Sequence, residues 1–420
     1  MRIAIIGAGI SGLTAAHELA ESHDVTLFEK ELRAGGHSHT VIVEEDGRKL
    51  GLDTGFLVYN ELTYPNFTRL LAALGVATRE SEMSLGVACR SCGVEWCGRS
   101  VRGLFARPGQ LLRPSHHRML LEVLRFNREG AAAARDERLA RYTVGEFLAE
   151  RGYSQAFRRH YVLAMGGAIW SSDPTTFERF PLQAFLRFFE NHGLLTVRHQ
   201  PQWRTVVGGS RRYVEAILKR LRGRVHLGCA ATGVRRRGPM VEIDLVDGRR
   251  AFFDRVVLAT HSDQALRLLR DPSDAEARAL RAIRYRANEA TLHTDARLLS
   301  RRPHARASWN VHLEDCGDRS APLSMTYSLN RLQRLPTSTP YCVTLNRAAA
   351  IDPAKILRRI RYEHPVFDFA ALDAQRELRS LSGERGTFFA GAYLGYGFHE
   401  DGVRSALAAV ESIEREREAA

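Results

Sequence analysis

The decapeptide IAIIGAGISG at residues 3–12 constrains the fold more than any other part of the sequence. An apolar run that predicts a buried strand leads directly into residues with the spacing of an amphipathic helix. Three glycines mark the turn between them: Gly7 permits the tight turn, Gly9 lets the backbone approach a pyrophosphate, and Gly12 lets the helix pack closely on the strand. The pattern predicts a βαβ unit that binds a dinucleotide at the N-terminus of its helix, where free N–H groups attract phosphate.

The second predicted strand, DVTLFE, ends in a carboxylate at Glu29. A carboxylate at this place accepts hydrogen bonds from the hydroxyls of an adenosine ribose, whereas an arginine would indicate a 2′-phosphate. NAD and FAD share this signature, so these residues alone leave the choice of dinucleotide open.

Length and charge limit the classes of partner. The chain has 420 residues, which suggests two or three domains, and a formal net charge of +13. Its arginines are scattered and form no basic module interleaved with aromatics, so we expect no nucleic-acid partner and favour an anionic membrane surface. No apolar run reaches the ~18 residues that span a bilayer. We expect a cytoplasmic protein, with peripheral contact to the inner face of the membrane left open and no oligomeric state indicated.

The cysteines do not form a disulfide framework, because six in so long a chain are too few, and they fit a reducing compartment. Cys89, Cys92 and Cys97 form a CxxC pair with a third cysteine, which could supply three ligands of a zinc site. No fourth ligand follows at the usual spacing, so we predict no metal and interpret SLGVACRSCGVEWCG as a short hairpin.

Three further segments resemble the FAD-dependent amine oxidase superfamily, which includes monoamine oxidases, protoporphyrinogen oxidases and phytoene desaturases. The first is ELRAGGHSHT, which matches the family pattern at Arg33, Gly35, Gly36 and Thr40. His37 stands where arginine is usual in that pattern. The other two segments are VVLAT and the C-terminal FFAGAYLGYGFHEDGVRSAL.

Across its length the sequence also resembles a group of bacterial predicted NAD/FAD-binding proteins, through DTGFLVYNELTYPN, PQWRTVVGGSRRYV and GYGFHEDGVRSAL. Members of that group are often associated with enzymes that resemble cyclopropane-fatty-acid synthases. The resemblance therefore implies membrane lipid chemistry.

The superfamily resemblance implies an α/β fold, α+β overall, in which a Rossmann-like FAD-binding domain is interwoven with a substrate domain of mixed sheet and helices. The predicted FAD-binding parts are 1–85, 201–287 and 381–420. The predicted substrate-domain parts are a helical segment, 86–200, and a sheet segment, 288–380.

The resemblance also implies noncovalent FAD and a set of residues that would hold it. These are Gly7, Gly9, Ser11, Gly12, Glu29, Arg33, Gly35, Gly36, His37, Thr260, Gly391, Phe398, Gly402 and Val403. By the same resemblance, Gly402 and Val403 would lend backbone N–H groups to the flavin ring, and Phe398 would flank it.

His399, Glu400 and Asp401 gather three titratable groups just before the last predicted helix, and we predict that one of them is a base at the flavin edge. The alternative is that Glu400 and Asp401 only cap that helix and that His399 is structural. The predicted substrate pocket consists of Trp170, His192, Trp203, Trp309, Asn310 and Tyr327, with packing in the core as the alternative role for its aromatics.

The single GxGxxG motif argues against a second nucleotide domain that would take electrons from NADPH, so we expect an organic substrate to reduce the flavin. We predict an FAD-dependent oxidoreductase of the oxidase or desaturase type. Its expected substrate is a lipid acyl chain, such as a methylated unsaturated phospholipid chain, which transfers hydride to flavin N5.

Three alternatives to this function stay open: a flavin amine oxidase, a redox-neutral flavin isomerase and a non-catalytic flavin-binding accessory protein. None of the four lysines lies in the strand context that monoamine oxidases use near flavin N5, and no full aromatic cage is evident. Both absences argue against oxidation of simple amines.

Overall fold

The computed structural model describes residues 1–196, 200–221, 224–318 and 323–419 of the chain. Its strands are β1 (Arg2–Ile6), β2 (Asp24–Glu29), β3 (Thr40–Glu45), β4 (Arg48–Asp53), β5 (Tyr59–Asn60), β6 (Thr78–Glu80), β7 (Leu85–Cys89), β8 (Glu95–Cys97), β9 (Trp203–Val206), β10 (Val225–Leu227), β11 (Ala231–Arg237), β12 (Met240–Leu245), β13 (Arg250–Phe253), β14 (Arg255–Leu258), β15 (Arg284–His293), β16 (Trp309–Leu313), β17 (Ser324–Ser328), β18 (Cys342–Leu345), β19 (Ile356–Val366) and β20 (Thr387–Phe389). Its helices are α1 (Ile10–Leu19), α2 (Pro65–Ala73), α3 (Val101–Leu104), α4 (Pro114–Ala133), α5 (Val144–Glu150), α6 (Gln155–Phe157), α7 (Leu163–Trp170), α8 (Pro174–Glu178), α9 (Leu182–Asn191), α10 (Arg211–Arg220), α11 (Ser262–Leu268), α12 (Asp274–Ala282), α13 (Leu329–Leu332), α14 (Phe369–Leu381) and α15 (His399–Ala419).

A five-stranded parallel sheet, in the order β10-β2-β1-β14-β20, contains the N-terminal motif. After Arg2, every residue of β1 is buried, as expected for a strand that is covered on both faces. The helices α1 and α15 pack together beside this sheet, in a core that also contains Phe388 and Ile413. The predicted βαβ unit and its buried first strand are confirmed.

A second sheet has seven strands in the order β19-β15-β18-β17-β16-β7-β8. The pair β16 and β7 is parallel, and the other neighbours are antiparallel. The predicted hairpin at the first three cysteines is the pair β7 and β8. Because β7 and β8 precede β10 in the chain and β20 follows β19, the two sheets are interwoven as predicted, while the five domain boundaries stay predictions.

The helices α3 to α9 lie between β8 and β9 in the chain, as the helical pattern predicts. They bury an aromatic core that includes Phe126, Phe147, Phe157, Phe177 and Phe185, each at most 2% exposed. A π-helical segment, Arg158–Val162, joins α6 to α7. In the described part of the chain, no helix combines the length and the apolarity that crossing a membrane requires.

Candidate active site

A cavity of about 1920 Å³ extends from the N-terminus of α1 to the helical region. At one end it is lined by Gly9 and Ser11, and at the other by Met119 and Val123 of α4 and Ile169 of α7. A pocket for one small molecule typically measures about 300–1,000 Å³. The cavity therefore has room for a dinucleotide and a second molecule together.

The glycine turn before α1 is closed on one side and open on the other. Gly7 has φ +102°, and a Cβ on Gly12 would lie 1.8 Å from the carbonyl oxygen of Gly7, so both positions require glycine. Around Gly9, by contrast, no atom lies within 4 Å of an added Cβ, and Gly9 lines the cavity. This open space at a helix N-terminus is the cradle that a pyrophosphate needs.

Glu29 and Arg33 provide the polar groups beside that cradle. The Glu29 carboxylate accepts the N–H of Ala8 at 2.7 Å and that of Glu31 at 2.9 Å, which fixes it at the cavity wall. Arg33 donates through Nη2 to the Gly36 carbonyl at 2.9 Å, while its buried Nη1 has no hydrogen-bond partner among the described residues. An unsatisfied buried guanidinium donor is costly, so this atom is suited to an anionic group.

These features fit FAD, with phosphate over the glycine turn, ribose at Glu29 and an anionic oxygen at Arg33. The other predicted cofactor residues that line the cavity are Ser11, Gly35, Gly36, His37, Thr260, Gly391 and Phe398. His37 lies against Tyr362, with ring centroids 4.8 Å apart, and its buried Nε2 has no partner within the described residues. Burial holds the pKa of His37 well below its usual value, so this ring is a neutral replacement for the usual arginine.

Two predicted flavin contacts need correction. The N–H of Gly402 donates to the Phe398 carbonyl at 3.1 Å, and a Cβ on Gly402 would lie 2.7 Å from Ile10 Cγ2. Val403 is 1% exposed and packs in the core. Neither residue lines the cavity: Gly402 lies against α1, and Val403 lies in the core that contains residues of both α1 and α15. The helix begins at His399, so the amides that α15 cannot satisfy internally are those of its first turn, before Gly402.

Of the three predicted catalytic groups, His399 lines the cavity. Its Nε2 lies 3.0 Å from Ser38 Oγ and 2.9 Å from Tyr213 Oη, and its ring stacks on Phe56 with 3.7 Å between centroids. Burial lowers the pKa of His399 to about 3. The ring is therefore neutral at physiological pH and held rigidly in place.

Glu400 points away from the cavity and caps another helix. Its carboxylate accepts the N–H of Asn66 at 3.1 Å and that of Phe67 at 3.0 Å, as well as the Asn66 side-chain amide at 2.5 Å. The two backbone N–H groups belong to the first turn of α2, where no carbonyl of the same helix can accept them. The prediction of a catalytic role is therefore corrected: Glu400 is a cap, although for α2 and not for the last helix.

Asp401 holds the turn that precedes α15. Its carboxylate accepts the N–H groups of Tyr396 at 2.9 Å and Phe398 at 3.1 Å, and it forms an ion pair with Arg404 at 2.7 Å. Burial raises the pKa of Asp401 to about 6, and Arg404 opposes that rise. Since Asp401 does not line the cavity, the prediction that it acts as a base is also corrected.

The predicted substrate residues Trp170, His192, Trp203, Trp309 and Tyr327 line the cavity. Asn310 does not. Its Oδ1 accepts the Ala307 N–H at 3.0 Å, and its Nδ2 donates to the carbonyls of Ala307 at 2.8 Å and Thr326 at 3.1 Å. This prediction is corrected because the amide of Asn310 is fully used to close a backbone turn.

His192 lines the cavity and has one ring nitrogen without a hydrogen-bond partner among the described residues. Its Nδ1 lies 2.9 Å from the Phe188 carbonyl oxygen, which can only accept, so Nδ1 carries the proton. In the neutral ring Nε2 is then an acceptor, and this buried atom has no partner among the described residues. Burial lowers the pKa of His192 to about 4, and its ring stacks on Phe188 with 3.9 Å between centroids.

Sequence reasoning missed the polar residues that β19 and the end of β14 contribute. Tyr362, His364 and His261 line the cavity, and Asn288 Nδ2 donates to His364 Nδ1 at 2.9 Å. Burial lowers the pKa of His364 to about 4. Tyr362 and His364 are two residues apart on a strand and therefore share a face. The alternation of polar side chains along β19 was the sequence signal from which this shared face could have been predicted.

Comparisons with known proteins agree with this geometry. A family model described as flavin containing amine oxidoreductase matches residues 10–338. A search of curated protein sequences gave no match.

Solved structures share the fold over nearly the full chain. Cyclohexylamine oxidase from Brevibacterium oxydans IH-35A has a TM-score of 0.71 at 18% identity, covering 99% of both chains. Wild-type putrescine oxidase bound to putrescine has a TM-score of 0.69 at 15% identity, again covering 99% of each. A CLA-producing fatty acid isomerase from P. acnes has a TM-score of 0.67 at 18% identity, covering 99% of this chain and 98% of that one.

Proposed function

This chain belongs to the flavin containing amine oxidoreductase family, and we propose that it oxidises a lipid acyl chain that enters the cavity from a membrane surface. The protein is an FAD-dependent oxidoreductase. When bound, FAD accepts a hydride equivalent from the substrate. The chain itself binds and orients the acyl group, excludes water around it and accepts the proton that is released.

The apolar end of the cavity is the observation that carries this proposal. It is lined by Leu85, Leu104, Met119, Leu120, Val123, Leu124, Met165 and Ile169. Side chains of this type bind a hydrocarbon by removing its surface from water, and they offer nothing to a small polar substrate. A dry pocket also prevents water from competing at the reacting carbon.

The surface around this end of the cavity is apolar and basic. Val101 and Leu124 line the cavity and are also 74% and 54% exposed, so the lining of the cavity continues to the surface at these residues. Leu111, Leu112 and Leu121 in the same segment are 55%, 87% and 67% exposed. Exposed arginines accompany them at 102, 113, 118 and 128. Exposed leucines among arginines suit the interface of an anionic bilayer.

The cavity is less well suited to binding the ammonium group of an amine substrate. Glu82 lines the cavity, but Arg331 lies 3.0 Å from its carboxylate and Arg99 lies 3.8 Å away. This pairing neutralises a group that would otherwise attract an ammonium ion. The indole N–H of Trp309 is buried without a partner among the described residues, and it is suited to a neutral oxygen such as an ester carbonyl.

His192 is the acceptor best prepared for the proton. Its Nδ1–H is committed to the Phe188 carbonyl, and this bond leaves Nε2 as an acceptor without a partner among the described residues, in a side chain that lines the cavity. Because burial lowers the pKa of His192 to about 4, the ring is unprotonated at neutral pH. We propose it as the proton acceptor in place of the three groups near residue 400.

The test is an anaerobic titration of the purified flavoprotein with vesicles of membrane phospholipid extract, followed by absorption spectroscopy. Loss of the oxidised flavin band, with an acyl product lighter by two hydrogen atoms, supports the proposal. Acyl product of unchanged mass would indicate an isomerase instead. Bleaching by simple amines and not by lipid would indicate an amine oxidase, and a flavin that stays oxidised with every substrate would contradict oxidation by this cavity.

A further inference from the structure

Four side chains with metal-binding atoms meet where the β7–β8 hairpin, the π-helical segment and the backbone after β16 come together. They are Cys89, Cys92, His160 and Cys316, and their ligand atoms all lie within 4.8 Å of one another. Cys92 Sγ is 3.3 Å from His160 Nε2. None of the four residues lines the cavity, so the group is separate from the proposed active site.

We propose that these four residues bind one zinc ion in a closed structural site. Three cysteine sulfurs and one imidazole form a complete tetrahedral set, with no position left for water or substrate. Zn–S bonds of about 2.3 Å and Zn–N bonds of about 2.0 Å place neighbouring ligands about 3.5–3.8 Å apart. The Cys92–His160 distance of 3.3 Å is already close to these values, and ligand atoms as far apart as 4.8 Å would move roughly 1 Å closer together.

The hairpin that carries the first two ligands has the shape of a metal-binding turn. Gly93 follows the CxxC pair with φ +72°, and its N–H donates to the Cys89 carbonyl at 3.1 Å. The turn brings the sulfurs of Cys89 and Cys92 within 4.8 Å of each other, as two ligands of one tetrahedral ion require.

Cys316 is held beside this hairpin although it is distant in sequence. The N–H of Arg90 donates to the Leu313 carbonyl at 2.8 Å, and the N–H of Ser91 donates to the Glu314 carbonyl at 3.1 Å. The backbone that follows β16 is therefore hydrogen-bonded to the hairpin just before Cys316. These backbone hydrogen bonds hold the cysteine sulfurs near one another without a bound metal.

His160 comes from the π-helical segment between α6 and α7. A π-turn rotates the following residues relative to an α-helix, and such turns often occur at functional positions. A metal bound here would join the edge of the seven-stranded sheet to this helix. The next residue, Tyr161, lines the cavity and stacks on Trp96 of β8 with 6.2 Å between centroids, so the ion would brace the cavity wall.

The proposed site differs at two points from the sequence interpretation, which predicted no metal. The third cysteine of the motif, Cys97, is buried in β8 and does not belong to the ligand group. The two missing ligands come from residues 160 and 316, so a spacing rule applied after residue 97 could not find them.

The first experiment measures zinc by mass spectrometry of metals in the full-length, FAD-loaded protein after dialysis. We expect one zinc ion per chain, and its loss in Cys92→Ser and in Cys316→Ser. Cys97→Ser is the matched control, because it changes a cysteine of the same hairpin outside the ligand group, and it should retain zinc. FAD content reports whether each variant is folded.

A second measurement on the wild type avoids the variants altogether. Cobalt exchanged into the site should give ligand-field absorption at wavelengths beyond the flavin bands, with the intensity of a tetrahedral thiolate site. Wild-type protein that is reduced, folded and unable to bind zinc or cobalt would overturn the proposal. Undiminished zinc in both ligand variants, or a Cys89–Cys92 disulfide in metal-free native protein, would also overturn it.

Discussion

The carboxylate of Glu400 accepts the backbone N–H of Phe67 at 3.0 Å, and this bond joins the first turn of α15 to the first turn of α2. Residues that are more than 300 positions apart in the chain therefore share one helix cap. Since α2 packs on α15 beside the FAD-binding sheet, the cap belongs to the framework that supports the cofactor and not to the reacting groups.

Replacing Glu400 should therefore lower the stability of the fold and leave the rate of flavin reduction unchanged. Glu400→Ala leaves one buried and two half-buried donors without an acceptor, so we expect a loss of about 1–3 kcal/mol in the free energy of unfolding. Urea denaturation measures this loss, and the rate of flavin reduction by substrate should stay as in the wild type. Glu411→Ala, which changes a 71% exposed side chain on the same helix, is the control. A large fall in reduction rate with normal stability would restore Glu400 as a catalytic candidate.

Gly9 and Gly12, three positions apart, should respond differently to substitution by alanine. Gly9→Ala adds a methyl group to open space, so the free energy of unfolding without FAD should change by no more than about 1 kcal/mol. The same methyl group occupies the pyrophosphate cradle, and FAD affinity should fall at least tenfold, or about 1.4 kcal/mol. Gly12→Ala would place Cβ 1.8 Å from a carbonyl oxygen and should destabilise the fold itself. Equal FAD affinity in Gly9→Ala and the wild type would refute the cradle.

The sequence could predict the dinucleotide cradle because its parts are contiguous. A strand, three glycines and a carboxylate at the next strand end fall within the first 29 residues, and short-range geometry fixes their relation. The acidic pair at 400 and 401 was ambiguous for the opposite reason. An acidic residue before a helix has the same pattern whether it caps, holds a turn or transfers a proton, and its partners at Asn66 and Phe67 are distant.

The same limit applies to the proposed metal ligands and to Tyr362 and His364. The ligands come from three segments that only the completed fold brings together, and β19 supplies cavity residues from a strand with no motif of its own. Periodicity indicates which residues share a face of a strand, but it does not indicate which face meets the cavity.

Burial of His399 should make the protein sensitive to acid. The pKa of His399 is about 3 in the folded protein against 6.5 in the unfolded chain, so the unfolded chain binds the extra proton between these values. The stability contribution is complete above pH 6.5 and is lost as the pH falls toward 3. His399→Gln should reduce the slope of unfolding free energy against pH in this range by up to about 1.4 kcal/mol per unit. Urea titrations at several pH values measure the slope, with His117→Gln as the control at an exposed ring. An unchanged slope in His399→Gln would contradict a neutral, buried ring.

The exposed leucines near the cavity opening should govern attachment to vesicles. Burial of one leucine contributes about 1.5–3 kcal/mol, so Leu112→Glu with Leu121→Glu should weaken binding to anionic phosphatidylglycerol vesicles at least about tenfold. Val246→Glu is the matched control, since Val246 is 60% exposed on the distant hairpin of β12 and β13. Cosedimentation at two salt concentrations separates apolar from electrostatic contributions. Equal binding of the leucine variant and the wild type would contradict docking through this surface.

His192→Gln should separate proton transfer from cofactor binding. The variant keeps a polar side chain of similar length, so FAD content should be unchanged, while the loss of a general base lowers the rate of flavin reduction by roughly 10²–10⁴-fold. In the wild type the active form of His192 is unprotonated, and its pKa is about 4. The reduction rate should therefore be independent of pH above about 5 and fall as the pH drops below 4. Stopped-flow pH-jump experiments measure this rate before acid unfolding begins. A full reduction rate in His192→Gln would show that the proton leaves by another route, and an inflection near pH 6.5 would show that the ring is not buried during the reaction.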